Sequence, residues 1–236
     1  MSASERRGAA RTSVVWESLR EVFGASSDVL DIGGGTGGFA VRVAELGHPV
    51  RVIDPSPDAL AALGRRAQEL DVADRVVGQQ GDLSTLLDVA GPDSADVVLC
   101  HGVLEIVDDP AAALATIAEV LRPGGTLSLL VNQRHAAVVA RAIAGHFGQA
   151  RAILDGESVG RAGHRFTSEE LTGHLEQAGF TVGSVHGIRV FSDLVPGSLL
   201  DLEPGSTQAL LELERAVATR PEYLSLATQV HVLATH

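Results

Sequence analysis

Val29-Leu30-Asp31-Ile32-Gly33-Gly34-Gly35-Thr36-Gly37-Gly38-Phe39 is the stretch on which the reading of this chain turns. Val29 to Ile32 has the apolar run of a short buried strand, the glycines form a tight turn, and Phe39 to Leu46 reads as a helix. With no Cβ in the way, such a turn lets the backbone approach a ligand closely. It also aims the first free N–H groups of the helix at that ligand. A strand–turn–helix with no ligand would spend the backbone entropy of all these glycines for no structural return. The next strand, Val50 to Ile53, ends in Asp54, a placement suited to a ribose diol.

Gly33, Gly35 and Gly38 satisfy the dinucleotide pattern G-x-G-x-x-G, with Asp54 near the expected distance. Asp31, two residues before the first glycine, points elsewhere. With Gly37 it makes Asp-x-Gly-x-Gly-x-Gly. A carboxylate repels a pyrophosphate but attracts a sulfonium and an α-amino group. The acidic start therefore favours S-adenosylmethionine (SAM) over NAD.

Outward from this stretch the chain alternates. Strands are expected at 28–32, 50–53, 75–79, 96–100 and 126–131, with helices at 37–46, 57–70 and 110–121 between them. Such alternation gives a parallel sheet with helices on both faces, and ligands lie beyond the carboxyl ends of its strands. Asp31, Asp54, Asp82 and His101 all fall at or just past those ends. Pro55-Ser56-Pro57 starts a helix. Leu121-Arg122-Pro123-Gly124-Gly125 ends one and turns. Residues 12–23 carry apolar side chains at helical spacing after a disordered tail at 1–10. Past Asn132 come an Ala-rich helix at 135–148, a polar loop at 151–166, and a helix from Thr167-Ser168-Glu169-Glu170, a capping signal, to Ala178. Strands at 180–190 and 226–234 flank a helix at 206–218.

Composition narrows the choices. The 236 residues are most simply one domain. A net charge of −12 and 3% aromatic content argue against general affinity for nucleic acid or membrane surfaces. The charge is uneven: from Arg134 to Arg165 five arginines face two acids, a local +3, and the remainder carries −15. The single cysteine, Cys100, excludes an intrachain disulfide and reads as a small buried residue. No apolar run has the length of a membrane span and the N-terminus lacks a signal core, so the protein is expected in the cytoplasm, off the membrane. No metal site is expected. A monomer suffices, and the sequence leaves the oligomeric state open.

Asp31 to Gly37, Asp54, Gly81-Asp82 and Leu121-Arg122-Pro123-Gly124-Gly125-Thr126 together resemble the class I SAM-dependent methyltransferases. The resemblance implies an α/β, Rossmann-like, doubly wound seven-stranded sheet ending in a C-terminal antiparallel hairpin, over residues 1–236. Segments 133–166 and 191–224 would cover the substrate side. It implies a SAM site built from Arg11, Asp31, Gly33, Gly35, Gly37, Asp54, Pro55, Gly81, Asp82 and His101. There Arg11 pairs with the methionyl carboxylate and Asp82 accepts from the adenine amino group. From the residues alone, Arg11 is a solvated cation and Asp82 a helix cap from Ser84 onward. A narrower resemblance rests on Arg11 with Trp16, His101-Gly102-Val103-Leu104-Glu105, Gly187-Ile188-Arg189-Val190-Phe191 and Ala209-Leu210-Leu211-Glu212-Leu213-Glu214. These are similar to the bacterial tRNA carboxymethoxyuridine methyltransferases, which esterify a carboxylate on a wobble uridine. Their lysine-rich run has no counterpart in Asp155 to Gly163, which removes phosphate contacts.

Methyl transfer is an in-line displacement with a neutral leaving group, helped by holding the acceptor close and aligned and by excluding water. A carboxylate acceptor needs no base; a phenol, amine or hydroxyl profits from one, for which His101 and His135 are the candidates. No residue is assigned a catalytic role. Arginine would hold an anionic acceptor: Arg189 at the end of strand six, with Arg134, Arg161 and Arg165 in the cover segment. Three functions follow: a methyltransferase for a tRNA carboxylate, the same fold acting on a small-molecule acceptor, or a SAM-binding protein without catalysis.

Overall fold

The computed structural model describes residues 3–157, 163–200 and 205–236, excluding the side chains of 3–11. Strand β1 (Val29–Ile32) is buried at every position, as a central strand covered on both faces must be. It pairs in parallel with β2 (Val50–Asp54) and with β4 (Ala95–His101), with Val29 opposite Val50 and Val97. β2 pairs in parallel with β3 (Val76–Gln80). With β5 (Leu121–Asn132), β6 (Thr181–Ile188) and β7 (Gln229–Thr235) the sheet runs β3-β2-β1-β4-β5-β7-β6. The last strands are antiparallel. The N–H of Gly124 donates to His236 O at one end of the β5–β7 pair, and that of Gln133 to Thr228 O at the other. The Thr228 N–H donates to Arg189 O across from β6. This is the seven-stranded sheet with a C-terminal hairpin that the sequence implied.

The chain divides into two compact units. The glycine-loop unit comprises Val22–Leu129, Thr172–Gly183 and Leu233–His236. Its core contains Ile32, Ile53, Leu63, Leu99, Leu114 and Ile117, each at most 1% exposed. The arginine unit comprises Met1–Glu21, Leu130–Leu171 and Ser184–Val232. It is built on Val15, Leu19, Leu171, Val190, Val217 and Ala227.

Local chemistry sets several helix starts, though not that of the short α4 (Leu86–Ala90); another short helix, α9, is Gly197–Leu200. Ser56 Oγ accepts from Ala59 N ahead of α3 (Pro57–Glu69), and Asp109 accepts from Ala111 and Ala112 ahead of α5 (Pro110–Val120). At α8 (Ser168–Gln177), Thr167 and Glu170 exchange bonds as a capping box.

Four expectations are corrected. Helix α1 is Ala3–Val22, running through the stretch expected to be disordered, where alanine, glutamate and arginine have high helix propensity. Helix α2 is only Ala40–Glu45, because Gly37 at φ +80° stays in the turn. Leu121–Gly125 ends α5 and turns at Gly124, φ +79°, but already belongs to β5, and Gly125 O accepts from His236 N. The expected helix at 135–148 is two, α6 (Arg134–Ile143) and α7 (Phe147–Leu154), divided at Gly145 with φ +76°. Helix α7 takes up part of the expected 151–166 loop.

Candidate active site

In the glycine-loop unit, the site forms where β1, β2 and β4 end. Gly33, Gly35 and Gly37 have φ of +67°, +55° and +80°, the left-handed region that side chains disfavour. A Cβ on Gly33 would come 2.5 Å from Val103 Cγ2, and one on Gly34 would come 2.5 Å from Asp31 Oδ2. The Asp31 carboxyl thus lies against the loop backbone and is 3% exposed. Burial, and then the charge of Asp54, push its pKa up to about 7. Asp54, 7% exposed, ties the loop to β2: Oδ2 accepts from Gly35 N at 2.9 Å and Oδ1 from Ser56 N at 2.9 Å. The Gly33 N–H donates to Ile53 O at 2.7 Å. Two buried carboxyls therefore flank a loop of inward-turned backbone, a setting that welcomes a cation beside one acid and hydroxyl donors beside the other.

The neighbouring candidates gather at the same strand ends. Gly81 N donates to Asp54 O, and Pro55 O accepts from Gln80 Nε2. A Cβ on Gly81 would lie 3.1 Å from Thr85 Oγ1 and 3.2 Å from Ile53 Cγ2, so the position is closed to larger residues. Asp82 caps its own turn. Its Oδ1 accepts from Ser84 N, Ser84 Oγ and Thr85 N, and these bonds, led by the Ser84 hydroxyl, hold its carboxyl below the usual range. The helix cap foreseen for Asp82 is corrected to a turn cap: the helix starts only at Leu86, and the Asp82 bonds on Oδ1 close the turn ahead of it. His101 has its Nε2 2.8 Å from Ser128 Oγ and its ring edge-on to Phe39 at 4.7 Å. Burial lowers its pKa to about 4, so it is neutral at physiological pH and a poor base for a phenol or amine. Cys100 is fully buried with its thiol pushed up to about 12, an inert packing residue as expected.

The arginine unit holds the other candidates. Arg134 donates to Glu170 Oε1 at 2.7 Å and to Arg165 O at 3.1 Å, so its guanidinium ties α6 to the segment before α8. Arg165 is half-buried, and burial and the charge of Arg141 lower its pKa. Two guanidiniums crowding each other make a site that gains from an anion. Arg189 follows β6 with φ +60° and sits 3.3 Å from the Asp193 carboxylate. The side chain of Arg11 and the whole of Arg161 lie outside the described residues. Among the described residues no group of three or more His, Cys, Asp or Glu could hold a metal ion, and no helix is long and apolar enough to cross a membrane. His135 is exposed at the start of α6.

Two residues that the sequence reading gave no role stand out. Ser128 is fully buried beside His101. Glu214, 4% exposed, accepts from the backbone of 190–192. An acid on the apolar stripe of Leu210, Leu211 and Val217 was the available signal for Glu214.

Comparison with known proteins agrees with this geometry. The methyltransferase domain family matches residues 5–185. A tRNA 5-carboxymethoxyuridine methyltransferase of Escherichia coli K12 is 30% identical over 97% of this chain and 88% of its own length. A ubiquinone biosynthesis O-methyltransferase of Xanthomonas euvesicatoria is 32% identical over 70% of this chain and 66% of its own. The crystal structure of a SAM-dependent methyltransferase from Mesorhizobium loti superimposes with a TM-score of 0.63 at 22% identity, over 98% of this chain and all of that one. The family match over most of the chain, joined to an acidic glycine loop at the head of a seven-stranded sheet, places the chain in the methyltransferase domain family as a SAM-dependent methyltransferase.

Proposed function

We propose that the chain transfers a methyl group to a carboxylate carried by a modified uridine of tRNA. SAM, when bound, supplies a methyl group on a sulfonium carbon. The residues at the strand ends fit it. Asp31, its carboxyl poised near 7 by burial, gains from a neighbouring cation. Asp54 keeps lone pairs for a diol beside the loop it ties down. Gly35 leaves the backbone open, and Gly33 and Gly37 shape the loop where Val103 and Leu63 pack against it, with Pro55, Gly81, Asp82 and His101 completing the cradle. Arg11 is proposed for the methionyl carboxylate.

Arg189 carries the acceptor reading: its guanidinium already lies within reach of a carboxylate, that of Asp193. A carboxylate acceptor is ionised at neutral pH and needs no general base, which agrees with a His101 lowered to about 4. The E. coli relative is named for a carboxymethoxyuridine of tRNA. From Arg134 to Leu154 the chain has three arginines and no acid, and Ile143 and Phe147 are more than 70% exposed there. Such a surface suits phosphates and unstacked bases, with Arg141 and Arg165 the leading contacts and Arg161 a further one. A tRNA acceptor would place the protein in the cytoplasm. The small-molecule alternative is favoured by the net charge of −12 and by the O-methyltransferase relative of Xanthomonas. Filter binding of undermodified tRNA across salt concentrations tests the choice. Steep loss of retention with salt supports tRNA, and no retention at low salt supports the metabolite.

A further inference from the structure

Helix α10 (Ser206–Val217) buries one charged side chain, Glu214, at 4% exposure. Its carboxylate gathers four donors from one turn. Oε2 accepts from Val190 N at 2.9 Å; Oε1 accepts from Phe191 N at 2.9 Å, Ser192 N at 2.7 Å and Ser192 Oγ at 2.6 Å. Successive backbone N–H groups converging on one point form the kind of concavity that binds free anions. Here the chain's own carboxylate fills it. The turn follows directly on Arg189, whose φ of +60° is uncommon for a residue with a side chain. On its other side Val190 is fully buried with Val217 and Ala227, and Phe191 and Tyr223 pack against that cluster.

Taking a carboxylate out of water is costly, and its donors at best compensate. An apolar residue at 214 would fill the helix stripe without that cost. What the carboxylate provides in exchange is a fixed backbone for three residues, gripped by α10 and by the apolar cluster, so that the residue before them cannot relax to an ordinary conformation. That residue is Arg189.

We propose that Glu214 is a positioning residue for the methyl acceptor: it locks the 190–192 turn and thereby sets the Arg189 guanidinium as the clamp for the acceptor's carboxylate. The proposal rests on the reading of Arg189 given above. Its consequence is a division of labour. Arg189 touches the acceptor, Glu214 touches only the turn, and loss of either reaches the reaction through acceptor binding rather than through SAM.

The experiment uses the full chain and tRNA bearing 5-carboxymethoxyuridine, with Glu214→Gln, Arg189→Ala, their double variant and Ser192→Ala. Glu214→Gln keeps the shape but sets an amide donor against a turn made of donors. The KM for tRNA is expected to rise about tenfold in E214Q, while kcat and SAM affinity stay within about twofold. The amides of 190–192 lose protection from hydrogen exchange. R189A raises the same KM, and the double variant is no worse than R189A alone, as expected for groups acting in series. Ser192→Ala removes one donor and shifts KM the same way by a smaller factor, about threefold, which keeps the test open if E214Q fails to fold. Retained protection at 190–192 in E214Q, or effects of E214Q and R189A that multiply, overturns the proposal. A raised KM in R189A beside a wild-type KM in E214Q defeats the role of Glu214 alone. An unchanged KM in R189A defeats the acceptor reading itself.

Discussion

Asp31→Asn separates what the glycine loop costs the fold from what it gives the cofactor. The carboxyl is 3% exposed and its pKa stands at about 7 against an ordinary 3.8, from burial first and the Asp54 charge second. The folded protein therefore holds a proton that the unfolded chain has released between about pH 4 and 7, and stability falls as pH rises through that window. A shift of roughly three pKa units corresponds to about 4 kcal/mol lost by pH 8. The neutral variant is spared this loss. Urea unfolding at pH 5 and pH 8 should show Asp31→Asn gaining on the wild type more at the higher pH than at the lower. Binding of SAM runs the other way. A cation beside Asp31 draws its pKa down, so association below pH 7 expels a proton and affinity climbs about tenfold per pH unit before levelling. Calorimetry in buffers of different ionisation enthalpy counts that proton. The variant should bind SAM more weakly, with no such slope. Wild-type affinity that is flat from pH 6 to 8 with no proton released, or a variant that binds as tightly as wild type, would refute the pairing of Asp31 with the cofactor's charge.

Three further outcomes follow from the same geometry. Asp54→Ala should cost roughly 3 kcal/mol of stability, two backbone bonds to a buried carboxylate at about 1.5 kcal/mol each, besides weakening SAM; denaturant titration and calorimetry read the two losses separately. Arg141→Ala with Arg165→Ala should reduce the salt slope of tRNA binding by about 1.4, the sum of two phosphate contacts at about 0.7 each, and leave SAM affinity unchanged. His186, 8% exposed, lies 3.3 Å from His231 Nδ1 and 3.3 Å from Ser18 Oγ; burial lowers its pKa below the ordinary 6.5, against an opposing pull from Glu21. The unfolded chain then takes up a proton that the folded one refuses, so stability drops as pH falls below 6.5, and His186→Gln should blunt the drop in urea midpoint between pH 7.5 and 5.5.

Where the signals are local, the sequence was enough. Apolar runs punctuated by Gly, Pro and Asp located β1, β2 and β4, and with them Asp31, Asp54 and His101 at the strand ends. The capping box at Thr167 and Glu170 formed as its spacing required. What escaped was set by partners distant in the chain. Leu121–Gly125 has the composition of a turn and turns at Gly124, yet it belongs to β5 because His236 pairs with it. The place of Glu214 on the apolar stripe of α10 signals its burial, but not its partner, a turn more than twenty residues upstream. Arg134, a candidate from sequence for holding an anionic acceptor, bonds instead to Glu170 and to Arg165 O, partners that its position in the chain does not reveal. The break at Gly145 was legible in principle, since a glycine after an arginine-bearing last turn is a common helix stop.

The nature of the bond formed tests the central claim most directly. Incubating the protein with methyl-labelled SAM and tRNA bearing 5-carboxymethoxyuridine, then digesting to nucleosides, locates the label and its chemistry together. A carboxylate acceptor predicts label on that uridine as a methyl ester, released as methanol by mild alkali. Label that survives alkali, or label absent from tRNA and present on a small molecule of a metabolite extract run in parallel, would contradict it.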